Sequence, residues 1–243
     1  MKYTVDYFRI SSDWFTTGKN KFQSIDKDRG LKLYFNLFKF RVHQGDFNNH
    51  LFITSLYHLK KELGWSIQQT FDTLTLLKKN KIISIKRYDW NLLTKDNKIN
   101  DKMCLNITAI DVPQKEDNYI YIPVNIIEEY ERLSLNYKCI SFYCLASKWS
   151  NAESGFYMSI NKISETLGYD PKTINKILID LNYHQLMFTI KEKNKRGGYN
   201  FIHYVVKELK NREEMSKMYK CESKKFIDGV ENRRMKKKKY KSK

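Results

Sequence analysis

An α+β fold, mainly helical and laid out twice in tandem ahead of a basic C-terminal tail, is what the sequence predicts. Three observations predict it. Residues 158–206 read as two short helices around a glycine turn, followed by two strand-like runs. Residues 31–88 repeat that plan, offset by 104 positions. The last twelve residues, NRRMKKKKYKSK, hold eight bases and no acid.

In the stretch 158–206, Ser159 is placed to cap a helix over 160–167, with Lys162 and Glu165 facing out. Gly168 supplies the left-handed residue that ends it. Asp170 followed by Pro171 opens a second helix: the carboxylate caps it, and the proline's missing N–H costs nothing at the first position. Ile174, Ile177, Leu178 and Leu181 fall at i, i+3, i+4 and i+7, which gives this helix one apolar face. Strand-like runs over 186–191 and 200–206 flank a basic turn containing Lys193, Lys195, Arg196, Gly197 and Gly198. Leu167, Gly168, Asp170, Thr173, Ile174, Leu178, Leu181, Leu186 and Met187 together resemble the pattern of the winged-helix superfamily. The resemblance implies a helix-turn-helix with a DNA-reading second helix, then a hairpin wing. Gln185 departs from it, because members usually carry glycine there.

The earlier repeat starts with 31–42 (LKLYFNLFKFRV), apolar and aromatic enough for a mostly buried first helix. Thr54 is expected to cap a helix over 55–63 that Gly64 closes. Ser66 is expected to cap the next, over 67–79, with Thr70, Leu74 and Leu77 facing inward. Strands at 82–87 and 103–110 follow, joined by a long polar loop over 88–102. Gly64, Trp65, Ser66, Leu74, Leu77 and Ile82 match Gly168, Tyr169, Asp170, Leu178, Leu181 and Leu186. The entries match as well, 7–10 (YFRI) with 119–122 (YIYI). Residues 111–118 are polar, contain Pro113 and lack periodicity, so a boundary falls there. Residues 123–149 read as two helical pieces broken near Ser134. The expected organisation is a first winged-helix domain over 1–112, a linker over 113–118, a second domain with a C-terminal helix over 119–221, and a disordered basic tail over 222–243.

Length and composition suit two modest globular domains, with 243 residues, 41% hydrophobic and 30% charged. No apolar run reaches the roughly 18 residues of a membrane span, so no membrane partner is expected. The four cysteines form no CxxC pair, which predicts a cytoplasmic protein without disulfides or metal. The net charge of +18 is unevenly spread: +9 over 1–110, zero over 111–206 and +9 over 207–243. Within the neutral part, Lys172, Lys176, Lys191, Lys193, Lys195 and Arg196 gather on the reading helix and wing, while Glu128, Glu129 and Glu131 lie elsewhere. Bases concentrated on one face of a neutral domain point to DNA more sharply than bulk basicity does.

Motifs for catalysis are missing from the sequence. There is no GxxxxGK[ST] loop, no HExxH, no GxSxG and no dinucleotide glycine pattern. His43, His50, His58, His184 and His203 form no His-apolar-His pair of the kind metal-dependent DNA nickases place beside a tyrosine. A protein that is not an enzyme and carries no cofactor is expected.

Tandem winged helices on a short connector, entered by an extended Tyr-Ile-Tyr-Ile-Pro, resemble the replication initiators and replication organisers of plasmids and phages from low-GC bacteria. A single unit resembles the DnaD-type initiators. This implies sequence-specific binding of double-stranded DNA at origin repeats, local melting, and host replication proteins as partners. A transcriptional repressor or other plasmid or phage regulator on the same fold is the alternative, and a protein-interaction scaffold is a third reading, because fold does not decide function. The residues expected on DNA are Lys172, Thr173, Asn175 and Lys176 on the second reading helix, and Lys193, Lys195 and Arg196 on its wing. In the first unit they are Gln68, Gln69 and Thr73 on the helix, with Lys86 and Arg87 at the start of the wing. Arg233, Arg234, Lys236 and Lys237 belong to the tail, which neutralises phosphates without reading sequence. Glutamine pairs bidentately with adenine, whereas Asp72 on the same face opposes phosphate, so partner binding competes as the first unit's role. One chain on each direct repeat and a homodimer on a palindrome both stay open.

Overall fold

The computed structural model describes residues 6–15, 24–42, 50–94, 98–109, 119–150, 155–193, 197 and 199–241. The chain is α+β and mainly helical with small sheets, and it divides into two compact units, Met1–Val124 and Asn125–Lys243. The expected linker at 113–118 lies outside the described residues.

The first unit runs β1 (Tyr7–Ser11), α1 (Ser24–Leu37), β2 (Arg41–Val42), β3 (Leu51–Thr54), α2 (Leu56–Leu63), α3 (Ile67–Lys79), β4 (Ile83–Ile85), α4 (Arg87–Leu93), β5 (Leu105–Ala109) and β6 (Tyr119–Pro123). Leu31, Leu33, Tyr34, Phe35 and Leu37 are all buried, so α1 is packed on nearly every side and has no solvent stripe. It starts well before residue 31 and stops short of 42. Its charged first turns hide the start, since Lys27 and Asp28 are buried against expectation. α2 is capped by Ser55, one residue later than the sequence suggests, with the Ser55 hydroxyl accepting from His58 N–H at 3.2 Å. The sheet order is β2-β3-β5-β4, each neighbour antiparallel.

Two expectations for this unit are corrected. The loop over 88–102 contains α4, held by tertiary contacts: Trp90 stacks on Phe71 at 5.5 Å, and the buried Asp89 carboxylate accepts from Asn106 N and Nδ2 at 3.1 and 3.0 Å. Residues 119–123, expected to open the second domain, instead form β6 and pair with β1, Tyr7 opposite Pro123 and Ser11 opposite Tyr119. Phe8, Ile10, Ile120 and Ile122 alternate onto the buried face of that ribbon.

The second unit runs α5 (Val124–Arg132), α6 (Tyr137–Trp149), α7 (Ile160–Leu167), α8 (Pro171–Tyr183), β7 (Met187–Lys193), β8 (Tyr199–Val205) and α9 (Arg212–Lys241). The break near Ser134 is a turn in which that residue has φ 52°. α6 buries every residue from Cys139 to Ala146. Ahead of α7, Phe156 bridges to His203 of β8 in both directions, at 2.7 and 2.9 Å. This close approach needs glycine at 155, where φ is +66° and an added Cβ meets Ile202 Cγ2 at 2.6 Å.

The two units share one order: a helix, a strand position, two helices, then two strands. In both, the strand before the helix pair lies against the second of those two strands, as β3 does on β5 and Phe156 on β8. The local details match too. Ser55 and Ser159 cap the first helix of each pair, Ser66 and Asp170 the second, and Gly64 and Gly168 end the first with φ 67° and 71°. Beyond the second helix, Lys81 and Gln185 sit at φ 56° and 55°, in the left-handed region that side chains resist. Gln185 therefore occupies a position whose backbone calls for glycine. Gln185→Gly is expected to stabilise the second unit by roughly 0.5–1 kcal/mol, the strain released less the added chain entropy. A thermal melt checks this, and a lower midpoint for the variant contradicts it.

The basic tail is also corrected, because 222–241 continues α9 and is not disordered. Ser223, Phe226 and Val230 are buried, and with Tyr219 they form a seam at i, i+4, i+7 and i+11 against α8 and β7. Tyr219 stacks on Tyr204 at 4.5 Å, and Phe226 meets Phe201 edge-on at 5.4 Å. Tertiary packing along this seam adds to the good helix propensity of its Lys, Arg, Glu and Met residues.

Candidate nucleic-acid interface

α8 begins at a well-made cap. Asp170 Oδ1 accepts from the N–H groups of Lys172 and Thr173 at 2.9 and 3.1 Å. The Thr173 hydroxyl donates to Oδ2, and that bond first, then the backbone ones, holds the carboxyl below its ordinary pKa. Asn175 Nδ2 donates to the Pro171 carbonyl at 2.8 Å. Thr173 and Asn175 are thus engaged with their own helix. Lys172 and Lys176 are exposed, one turn apart, while Ile174, Ile177, Leu178 and Leu181 are buried.

The hairpin that follows carries exposed Lys191 and Lys193 on β7. Lys191 Nζ lies 3.7 Å from the centre of the Tyr199 ring on β8, and that ring is itself 58% exposed. Tyr199, which closes the basic glycine turn in the sequence, thus joins the lysines at this surface although only the bases of the turn were expected on DNA. Lys195 and Arg196 lie outside the described residues. Arg233, Arg234, Lys236 and Lys237 fall on α9, but their side chains lie outside the described residues.

A buried polar network holds α8 to the hairpin and to α9. Asn182 Nδ2 donates to the Leu178 carbonyl and to Thr189 Oγ1, while its Oδ1 accepts from Thr189 N and from the Ser223 hydroxyl. Thr189 Oγ1 also meets His203 Nδ1 at 2.9 Å. Burial keeps the His203 imidazole neutral, lowering its pKa to about 4. At the end of α8, Arg212 donates to the His184 carbonyl and to Glu129, which also pairs with Arg132. Hydrogen bonds from Arg132 and then Arg212 hold the Glu129 carboxyl down at about 2, against a desolvation that opposes them. Glu129, one of the acids the sequence sets apart from the basic face, is a buried anchor.

The corresponding face of the first unit differs. Gln68 is exposed and donates from Nε2 to Asp72 at 2.7 Å, and Gln69 is half-buried. Thr73 is buried, its hydroxyl donating to the Gln69 carbonyl at 2.8 Å, so its placement on the outer face is corrected. The i−4 backbone bond lets a threonine face the core without an unmet donor. Lys78 Nζ stands 4.5 Å from the Trp90 ring, so α4 occupies surface beside α3. Lys86 and Arg87 are exposed, but they begin α4 and are not in a wing strand.

Among the described residues, no group of three or more His, Cys, Asp or Glu is placed to hold a metal, and no helix is long and apolar enough to cross a membrane. No protein-family model matches the chain, and neither a curated protein nor a solved structure matches it.

Proposed function

We propose that each unit is a winged helix and that the chain binds double-stranded DNA sequence-specifically, with α8 in the major groove, as an initiator recognising origin repeats of a plasmid or phage. The observation that carries the DNA-binding reading is the pair Lys172 and Lys176, exposed on α8 opposite its buried face and followed by a hairpin bearing Lys191 and Lys193. The repeated strand order and the matched caps of the two units support the fold.

The unlike outer faces, two lysines on α8 against Gln68 and Asp72 on α3, favour the initiator over the repressor. Two different heads in one chain suit an asymmetric or directly repeated site, as an origin offers; a two-fold dimer suits a palindrome. Footprinting on fragments selected from the source genome is expected to show direct repeats beside AT-rich DNA, each covered by one chain over about two helical turns. A plasmid carrying the site then replicates only when the protein is supplied. A palindrome over a promoter with no replication defect defeats the initiator reading and installs the repressor. Truncation of 232–243 is expected to weaken all duplexes alike and to flatten the salt dependence, since the eight bases there meet phosphate and not base edges.

A further inference from the structure

The first unit has its own exposed cations, in a different place. Tyr57 and Lys61 lie at i and i+4 on the outer side of α2, and with Lys60, Gly64, Trp65, Ser66 and Ile67 they line a cleft of about 580 Å³. The cleft is preformed. Gly64 turns the chain, Trp65 N–H donates to the Lys60 carbonyl at 3.0 Å, and Tyr57 N–H donates to the Asp101 carbonyl at 2.8 Å. Lys32, which is not part of the lining, stands 5.4 Å from the Trp65 ring centre and donates to the Leu63 carbonyl. Lys60 Nζ lies 5.2 Å from the Tyr57 ring centre and 3.7 Å from Asp101.

The repeat shows that this is not a property of the fold. At the matching positions the second unit has Asn161, Ser164 and Glu165 for Tyr57, Lys60 and Lys61, and Tyr169 is buried where Trp65 is half-exposed. The second unit puts its bases on α8; the first puts them beside two rings at the α2–α3 turn.

We infer that this cleft takes an unpaired base of single-stranded DNA, stacked on Tyr57 and Trp65, with a flanking phosphate at Lys61. The inference rests on the proposed DNA-binding role and adds a second substrate form to it. Duplex phosphates need the lysines alone, because paired bases keep their faces inside the helix. An acidic peptide likewise needs charge but gives two ring walls nothing to stack on. Aromatic faces beside cations are the means by which proteins hold single strands without reading sequence.

The test uses the full chain with a labelled short oligothymidylate, an abasic strand of equal length, and the cognate duplex. Tyr57→Ala with Lys61→Ala is expected to weaken the oligothymidylate by about tenfold or more, the loss of one stack and one phosphate contact. Duplex affinity is expected to change by less than about twofold, and the abasic strand, which keeps its phosphates and loses the stacks, to bind the parent several-fold more weakly than the oligothymidylate does. Strand binding is expected to quench tryptophan emission in the parent and not in Trp65→Phe. Lys61→Glu alone, at an exposed position, replaces the double variant if circular dichroism shows that variant unfolded. Equal losses on strand and duplex make the cleft a backbone contact and overturn the inference. So does a parent with no affinity for the strand, or an oligoglutamate peptide whose binding alone depends on Tyr57 and Lys61. The Lys172→Ala/Lys176→Ala variant is read beside these on the cognate duplex, so failure of the DNA-reading role registers separately from failure of the cleft.

Discussion

Replacing Lys172 and Lys176 together by alanine is expected to remove discrimination between the cognate duplex and an unrelated one, and to leave the thermal transition of the second unit in place. Each contact that reaches a base edge contributes about 1–3 kcal/mol, so the pair sets a loss from about thirtyfold to somewhat above ten-thousandfold. The fold is spared because both side chains are exposed and the buried face of α8 runs through Ile174, Ile177, Leu178 and Leu181. Alanine is also the best helix former. Affinities for both duplexes, measured across a range of salt, check the result. A variant that loses salt dependence while keeping its preference shows that the lysines touch phosphate only. Gln68→Ala with Gln69→Ala runs alongside, and unchanged cognate affinity there assigns α3 a role other than reading.

Asn182→Ala is expected to be the most damaging single change to stability, at about 3–5 kcal/mol. It removes one side chain that serves Thr189 twice, Ser223 once and the Leu178 carbonyl, and each buried group left unpaired costs ~1–3 kcal/mol. The same network makes the second unit acid-sensitive. The unfolded chain protonates His203 near 6.5, whereas the folded one holds it neutral down to about 4 because burial penalises the cation. Its contribution is complete above pH 6.5 and falls as the pH drops towards 4, by which point about 3 kcal/mol is lost. His50 in the first unit is held neutral by burial and then by the nearby Arg41 and Arg9, so a global probe mixes the two units. Hydrogen exchange at the amides of β7 and β8, compared at neutral pH and near pH 4.5, isolates His203. Equal protection at the two pH values, after correction for intrinsic exchange, contradicts the assignment, as does an Asn182→Ala protein with parental protection.

Local signals made α7 and α8 legible. A serine cap, a left-handed glycine, an Asp-Pro start and apolar residues at helical spacing lie within a few positions of one another, and each acts on its own neighbours. Lys172 and Lys176 follow from that spacing alone. The features that escaped depend on distant partners. α4 exists because Asp89 finds Asn106 and Trp90 finds Phe71, and nothing in the seven residues themselves announces a helix. α9 reads as a solvated charge run because its seam of Tyr219, Ser223, Phe226 and Val230 is diluted by lysine and glutamate on the other faces. Thr73 looks outward until the bond to the Gln69 carbonyl is seen. The likeness of 7–10 to 119–122 suggests one repeat entering twice, whereas the two segments are partners across a single ribbon. The cleft at the α2–α3 turn was hidden for the same reason, since charge counted by segment does not say which lysines stand beside which rings.

That ribbon also fixes an order of events during synthesis. β1 leaves the ribosome ahead of the rest of the first unit, and its partner β6 follows more than a hundred residues later. At ~5–20 residues per second, that is a wait of roughly ten seconds. The α2–turn–α3 segment, whose contacts are local, has time to form in the interval, whereas pairing at long sequence separation is slow even in a finished chain. Phe8, which ends 4.6 Å from Phe35 and 5.1 Å from Phe38, therefore has its aromatic neighbours before its strand has a mate. The last act in building the first unit is the arrival of Tyr119–Pro123, and a nascent chain stalled before that point holds the helix pair with one apolar strand still unpaired.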